Sequence, residues 1–289
     1  MILELGGGAQ LLRLFGWVLW ALIAAGLVAA LVFPPTRPRK ALWALLVLSP
    51  VLAMVLTGWH TRSEFQDRQA EAQRLFDEHC KTAGVRIFRT VANVDSVLLM
   101  KRRLENWDTR EQYALVDPYG TDTSGDGYAE SFLWGRNKNG SPMSTAPSPF
   151  GYRYVVMVNS DGKGYTRYEL TGRLDETGQL EVLRTPTSSL PRYAVSFEDI
   201  SSRNDRDHWI AGSRLFVVDR NNGDVLAERV GWMFDRALGA ADGMRHPWFF
   251  AAFNACPPFP TINNGVPKQR GQTRSFVERV LIPARETSK

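Results

Sequence analysis

The residues best suited to chemistry in this 289-residue chain form an acidic loop at positions 122–127. Oxygen donors stand at alternate positions, as they do in calcium-binding loops, and they are Asp122, Ser124 and Asp126. Gly127 follows and permits a sharp turn, but Leu133 occupies the position of the bidentate Glu. The sequence therefore predicts either a polar surface turn or a partial Ca²⁺ site that also uses Glu130 and Asp117.

Other catalytic patterns are less complete. The four histidines show no helical metal-ligand spacing and no cysteine cluster accompanies them, so a zinc site is not predicted. Ser213 lacks the trailing glycine of a nucleophile elbow, which favours a residue at the start of a strand. The acidic run at 198–207 is interleaved with Arg203 and Arg206, which favours local ion pairs over a pair of catalytic carboxylates. A non-enzymatic protein without a cofactor is the prediction.

An aromatic stretch at 247–258 is the best candidate for a contact surface. Its members are Trp248, Phe249, Phe250 and Phe253. If exposed, they would bind a partner, and if buried, they would form a core edge that Cys256 anchors. Burial is the interpretation that these residue types favour.

The two cysteines, Cys80 and Cys256, are far apart in the sequence. In an oxidising compartment such a pair is predicted to form a disulfide, and in a reducing one to remain two buried thiols. The topology described next favours the disulfide.

Two apolar runs precede all of these residues. The predicted helices span about 14–33 and 41–58, joined by a short basic loop at 34–40, and together they form a transmembrane hairpin. A cleaved signal peptide is the competing interpretation of the first run. Its length, the absence of a basic n-region and the lack of a clear cleavage site favour an uncleaved helix.

The orientation of this hairpin follows from its positive charges. Arg37, Arg39 and Lys40 are concentrated in the loop, which places the loop in the cytoplasm and both chain ends on the other side. The prediction is a two-pass protein of the bacterial inner membrane with a periplasmic C-terminal domain. The formal net charge is +5, but residues 59–289 carry only +2, and acids and bases alternate there. A nucleic-acid partner is therefore not predicted.

The remainder is predicted to be a juxtamembrane helix at 59–82 and an α+β domain at 83–289, mainly antiparallel β. Ser63 and Gln66 form a candidate capping box for the helix, and Ser202 and Asp205 form another for a short helix in the domain. A further helix is predicted at 128–134. Hairpin turns are predicted at 159–162 and 220–223. The predicted strands are 85–91, 94–101, 152–158, 165–170, 192–197, 214–219, 225–234 and 276–282.

Several segments together resemble an uncharacterised family of membrane-anchored proteobacterial periplasmic proteins. They are LFDEHC at 75–80, GVRI at 84–87, DPYG at 117–120, RY at 192–193, EDIS at 198–201, WIAGS at 209–213 and ACP at 255–257. The resemblance implies an immunity or accessory role beside type VI secretion phospholipase effectors. The family's anchor is usually one helix, so the predicted hairpin departs from it.

Taken together, these patterns predict an inner-membrane-anchored periplasmic binding protein. Its expected partners are the lipid bilayer and another protein, a secreted effector. Two alternatives remain: an envelope enzyme with an acidic or cation-dependent site, and an envelope sensor or assembly factor.

Overall fold

The computed structural model describes residues 7–32, 36–105, 108–117, 123–134, 151–174, 180–269 and 271–284. The chain divides into two compact units, Met1–Asp67 and Arg68–Lys289.

The first unit contains helix α1, Gly7–Val32, and the first part of helix α2, Arg37–Cys80. The two helices approach closely at Gly26, where a Cβ atom would lie 3.1 Å from Val47 Cγ1. Among the described residues, α2 is the one helix long and apolar enough to cross a membrane. It contains an 18-residue segment with a mean hydropathy of 2.1, and none of that segment is buried within the protein. Helix α1 includes a shorter apolar stretch, Trp20–Ala30. The two-pass hairpin therefore stays a prediction.

The boundaries of α2 differ from the predicted ones. Instead of a loop to residue 40 and separate helices at 41–58 and 59–82, one helix runs from Arg37 to Cys80, while residues 33–35 lie outside the described chain. Ser63 therefore caps no helix. Pro50 and Gly58 lie inside this helix without ending it, and the Thr57 and Thr61 hydroxyls donate to carbonyls one turn back.

The second unit is an α+β domain built on a mainly antiparallel sheet, as predicted. Its strands are β1 Gly84–Ile87, β2 Val91–Val94, β3 Ser96–Leu99, β4 Tyr154–Val158, β5 Tyr165–Leu174, β6 Leu180–Thr187, β7 Tyr193–Asp199, β8 Ile210–Asp219, β9 Asp224–Phe234, β10 Ala255–Cys256 and β11 Leu281–Pro283. Its further helices are α3 Gly125–Leu133, α4 Arg203–Asp207, α5 Pro247–Ala251 and α6 Gln272–Val280.

The main sheet has the order β1-β9-β8-β7-β3-β4-β5-β6, with β10 also paired to β9. Strand β3 is parallel to both β4 and β7, and the other pairs in this sheet are antiparallel. Strands β2 and β11 form a separate parallel pair. The predicted hairpins β4–β5 and β8–β9 are confirmed, since Asn and Gly residues supply the turns that both need.

Two hydrophobic clusters hold elements against this sheet. Tyr128 and Phe132 of α3 pack in one cluster with Phe276, Val277 and Val280 of α6. In the second cluster, buried side chains of α2 and of the sheet meet: Ala72, Phe76, Ile210, Trp232 and Phe234. Gly212 is required here because a Cβ atom would lie 2.3 Å from the Trp232 ring.

One strand assignment was wrong, and strands β2, β6 and β10 were not predicted as separate strands. Residues 276–282 were predicted to be a strand, but they form most of α6 and the start of β11. Phe276, Val277 and Val280 recur at helical spacing, and burying that face outweighs the β-propensity of valine. Strand β6 was not predicted, and it contains Pro186, which suits its position at the sheet edge.

Candidate functional site

The predicted cation loop joins an arginine–carboxylate cluster. Asp122 lies outside the described residues, and Ser124 is the N-cap residue of α3 without a side-chain capping bond. Asp126 Oδ1 accepts a hydrogen bond from Tyr168 and pairs with Arg102, both at 2.8 Å. Glu130 Oε1 lies 2.6 Å from an Arg184 nitrogen.

The charges of this cluster set its pKa values. Burial acts to raise the pKa of Asp126, but hydrogen bonds from Tyr168 and Arg102 outweigh it and lower that pKa. Burial and the bond to Asp126 raise the pKa of Tyr168 to about 12. In the described part of the chain, no three His, Cys, Asp or Glu side chains could hold a metal ion together. The Ca²⁺ interpretation stays a prediction, because its first residue is not described.

The acidic run at 198–207 consists of paired carboxylates. Asp199 Oδ2 lies 2.5 Å from Arg206, and Glu198 Oε1 lies 3.1 Å from Arg214. Asp207 accepts a hydrogen bond from Tyr113. The predicted local ion pairs are present as Asp199–Arg206 and Asp207–Arg203, while Glu198 and Asp207 also bond to Arg214 and Tyr113 of other segments.

The predicted capping box at the start of α4 is confirmed and extends to α2. Ser202 Oγ accepts from the Asp205 amide, and the Ser202 amide donates to Asp205 Oδ2 at 2.7 Å. The second oxygen of Asp205 lies 2.7 Å from His79 Nε2 of α2. The His79 ring stacks on Trp232, with 3.8 Å between centroids. Asp205 thus joins two elements of the domain.

Replacing Asp205 by Asn should destabilise the domain by about 1–2 kcal/mol at pH 7, with a difference that shrinks below about pH 4. Burial acts to raise the pKa of Asp205, but hydrogen bonds from Ser202 and His79 leave it below the ordinary value of 3.8. A group with a lowered folded-state pKa stabilises the fold above its unfolded pKa and ceases to do so as the pH falls through the folded value.

Urea unfolding of both proteins from pH 7 to pH 3 measures this difference. The exposed Asp77→Asn variant is the control and should match the wild type throughout. A difference that stays constant with pH would contradict the role given to the Asp205 carboxylate.

Cys80 and Cys256 lie at bonding distance, with 1.96 Å between sulfur atoms and 5.6 Å between Cα atoms. The predicted pair is therefore present. It joins the C-terminal end of α2 to β10, which lies beside Trp232 and Met233 of β9.

The aromatic stretch separates into a buried base and an exposed face. Trp248 is fully buried and donates from Nε1 to the Glu111 carbonyl at 2.8 Å. Phe249, Phe250 and Phe253 are 52%, 48% and 56% exposed. The predicted burial was right for the tryptophan and wrong for the three phenylalanines, which we call the aromatic surface.

Polar neighbours fix the aromatic surface in place. The Arg245 guanidinium carbon lies 4.7 Å from the Phe250 ring centroid, and the Phe250 and Phe253 centroids are 6.4 Å apart. Arg245 Nη1 donates to Asp235 Oδ2 at 2.9 Å and to the Ala240 carbonyl at 2.6 Å, while Nη2 donates to the other Asp235 oxygen. The surface is therefore preformed on an ordered base.

Sequence reasoning missed a buried polar network between the loop at 103–117 and the sheet. Asp117 accepts from Arg103 and from Ser213, both at 2.8 Å, and Arg103 also donates to Thr273 at 2.7 Å. Beside it lies a cavity of about 30 Å³, lined by Leu104, Leu115 and Phe197 among others, which has room for one or two waters. Ser213 is fully buried inside β8 and is a structural residue.

The fold and the site define an α+β domain with an exposed aromatic surface and a disulfide joining its N-terminal helix to its sheet. Comparisons with family models, curated proteins and solved structures find no match to the chain.

Proposed function

We propose that this chain is an inner-membrane-anchored binding protein whose domain lies in the periplasm and holds another protein through the aromatic surface. The observation that carries the proposal is the exposure of Phe249, Phe250 and Phe253 on a buried, hydrogen-bonded base. Adjacent exposed aromatic rings mark interaction sites, and rigid aromatic anchors supply much of the binding energy in protein interfaces.

Three observations support the location. Helix α2 has an unburied apolar window, and Arg37, Arg39 and Lys40 stand at its N-terminal end, which is the pattern of a cytoplasmic helix end. The contact of α1 with α2 at Gly26 suits the proposed hairpin, in which small residues permit close packing. The Cys80–Cys256 pair suits an oxidising compartment.

A secreted effector is the proposed partner, and the role is immunity or an accessory function. The sequence resemblance to membrane-anchored periplasmic proteins carries this part of the proposal. Cells that express the chain should survive a periplasm-targeted phospholipase effector encoded beside it, and equal killing with and without the chain would reject the immunity role.

The binding surface is tested by photo-cross-linking of the full chain in cells. A benzophenone amino acid at position 253 should give a discrete adduct, because this side chain lies at the proposed contact. The same group at the exposed Leu183 of edge strand β6 is the control and should give none. Equal adducts at both positions, or none at 253, would count against the proposal.

The location has its own measurement. A phosphatase reporter fused after Lys289 should be active, because this enzyme requires export and disulfide formation. An inactive fusion that is nevertheless made in full would place the domain in the cytoplasm.

A further inference from the structure

Two polar side chains beside the aromatic surface, Arg245 and His246, already have partners within the protein. Arg245 donates to both oxygens of Asp235, which is almost fully buried, and to the Ala240 carbonyl. His246 Nδ1 lies 2.5 Å from Thr109 Oγ1. Arg245 lies against the Phe250 ring and His246 against the Phe249 ring, while the Arg245 charge and His246 Nδ1 are engaged by groups of the protein itself. The chemistry that remains outward is apolar.

The internal pairing of the Arg245 charge helps to decide which class of ligand the aromatic surface can bind. A membrane-surface site combines apolar side chains with Lys or Arg that attract anionic headgroups, and a phosphate site needs donors that face the ligand. Arg245 lies against the Phe250 ring, and Asp235 neutralises its charge. An uncharged, apolar ligand is therefore the complement of this surface.

The size of the surface limits the ligand further. A phenylalanine side chain offers about 200 Å², so three rings at about half exposure present on the order of 300 Å². A stable contact between two folded proteins, including two copies of this chain, buries about 800 Å² on each partner. The surface matches a short segment that places two or three side chains on the rings.

We infer that the aromatic surface binds a short apolar peptide segment, one that presents aliphatic or aromatic side chains and no required charge. This inference rests on the proposed function and names the part of the partner that is recognised. Phe249, Phe250 and Phe253 are the contact residues, and Arg245 is a positioning residue that acts through Phe250.

The test is selection of a random twelve-residue peptide library on the full chain in phosphatidylcholine nanodiscs. Selected peptides should share two or three apolar positions, without enrichment of acidic or basic residues. Their affinity should fall about tenfold or more for Phe253→Ala, as expected for a central aromatic contact, and should be unchanged for the exposed Ile262→Ala. Because Phe253 is 56% exposed, this variant should remain folded, which its unfolding transition checks.

Three outcomes would overturn the inference: enrichment of charged residues, equal binding by both variants, or failure to select any peptide. Loss of Phe253-dependent binding when phosphatidylglycerol vesicles are added would assign the surface to the bilayer. The proposed function fails separately: if peptides bind as described but no adduct forms in cells from position 253, the surface recognises apolar segments while its assignment to a cellular partner is wrong.

Discussion

Replacing Cys80 by serine should lower the free energy of unfolding of the domain by about 2–5 kcal/mol, the range seen when native disulfides are removed. The two cysteines are 176 residues apart, so the cross-link excludes many conformations of the unfolded chain. The chain-entropy model sets an upper value of about 5 kcal/mol for a loop of this length. Urea unfolding of the full chain in detergent, followed by tryptophan fluorescence, measures the loss.

The double variant Cys80→Ser/Cys256→Ser is the control. If the loss arises from the cross-link, the double variant and the reduced wild type should both be as unstable as the single variant. A double variant as stable as the oxidised wild type would show that the cross-link contributes nothing and that an unpaired thiol causes the defect.

Replacing Asp117 by alanine should cost about 3–5 kcal/mol, because it leaves the charge of Arg103 buried without its carboxylate partner. The two side chains are 2% and 4% exposed. Ser213, which is fully buried, would also lose its acceptor. The same unfolding assay measures this change.

The exposed ion pair between Arg203 and Asp207 provides the matched control. Its side chains are 79% and 50% exposed, and Asp207→Ala, which also removes the hydrogen bond from Tyr113, should lower the free energy of unfolding far less than Asp117→Ala. Equal losses at Asp117 and Asp207 would contradict the conclusion that burial sets the strength of the first pair.

Local chemistry explains which parts of the fold were predictable. The turns at 159–162 and 220–223 and the capping box at Ser202 each depend on residues within a few positions, so one stretch of sequence contains the whole signal. The continuous helix through Ser63 was not predicted, because a capping box acts only where the preceding backbone leaves the helix.

The candidate site was predictable by residue type and not by orientation. In α5, Trp248 and Ala251 are three positions apart and share the buried side, which leaves Phe249 and Phe250 outward. Composition alone could not predict which side of α5 would be buried. The buried network was beyond prediction, since Arg103 and Thr273 come from segments 170 residues apart and no local pattern relates them.

The pairing of early strands with late ones governs when the domain can complete its fold. Gly84 of β1 pairs with Val230 of β9, and Val91 of β2 pairs with Leu281 of β11. During synthesis β1 and β2 cannot pair until β9 and β11 have been made, about 150 to 190 residues later in the chain. Contacts between such distant segments form slowly. Until then β1 and β2 have unpaired edges, which can pair with other chains and cause aggregation. The strand order therefore prevents the domain from completing its fold until its last strand has been made.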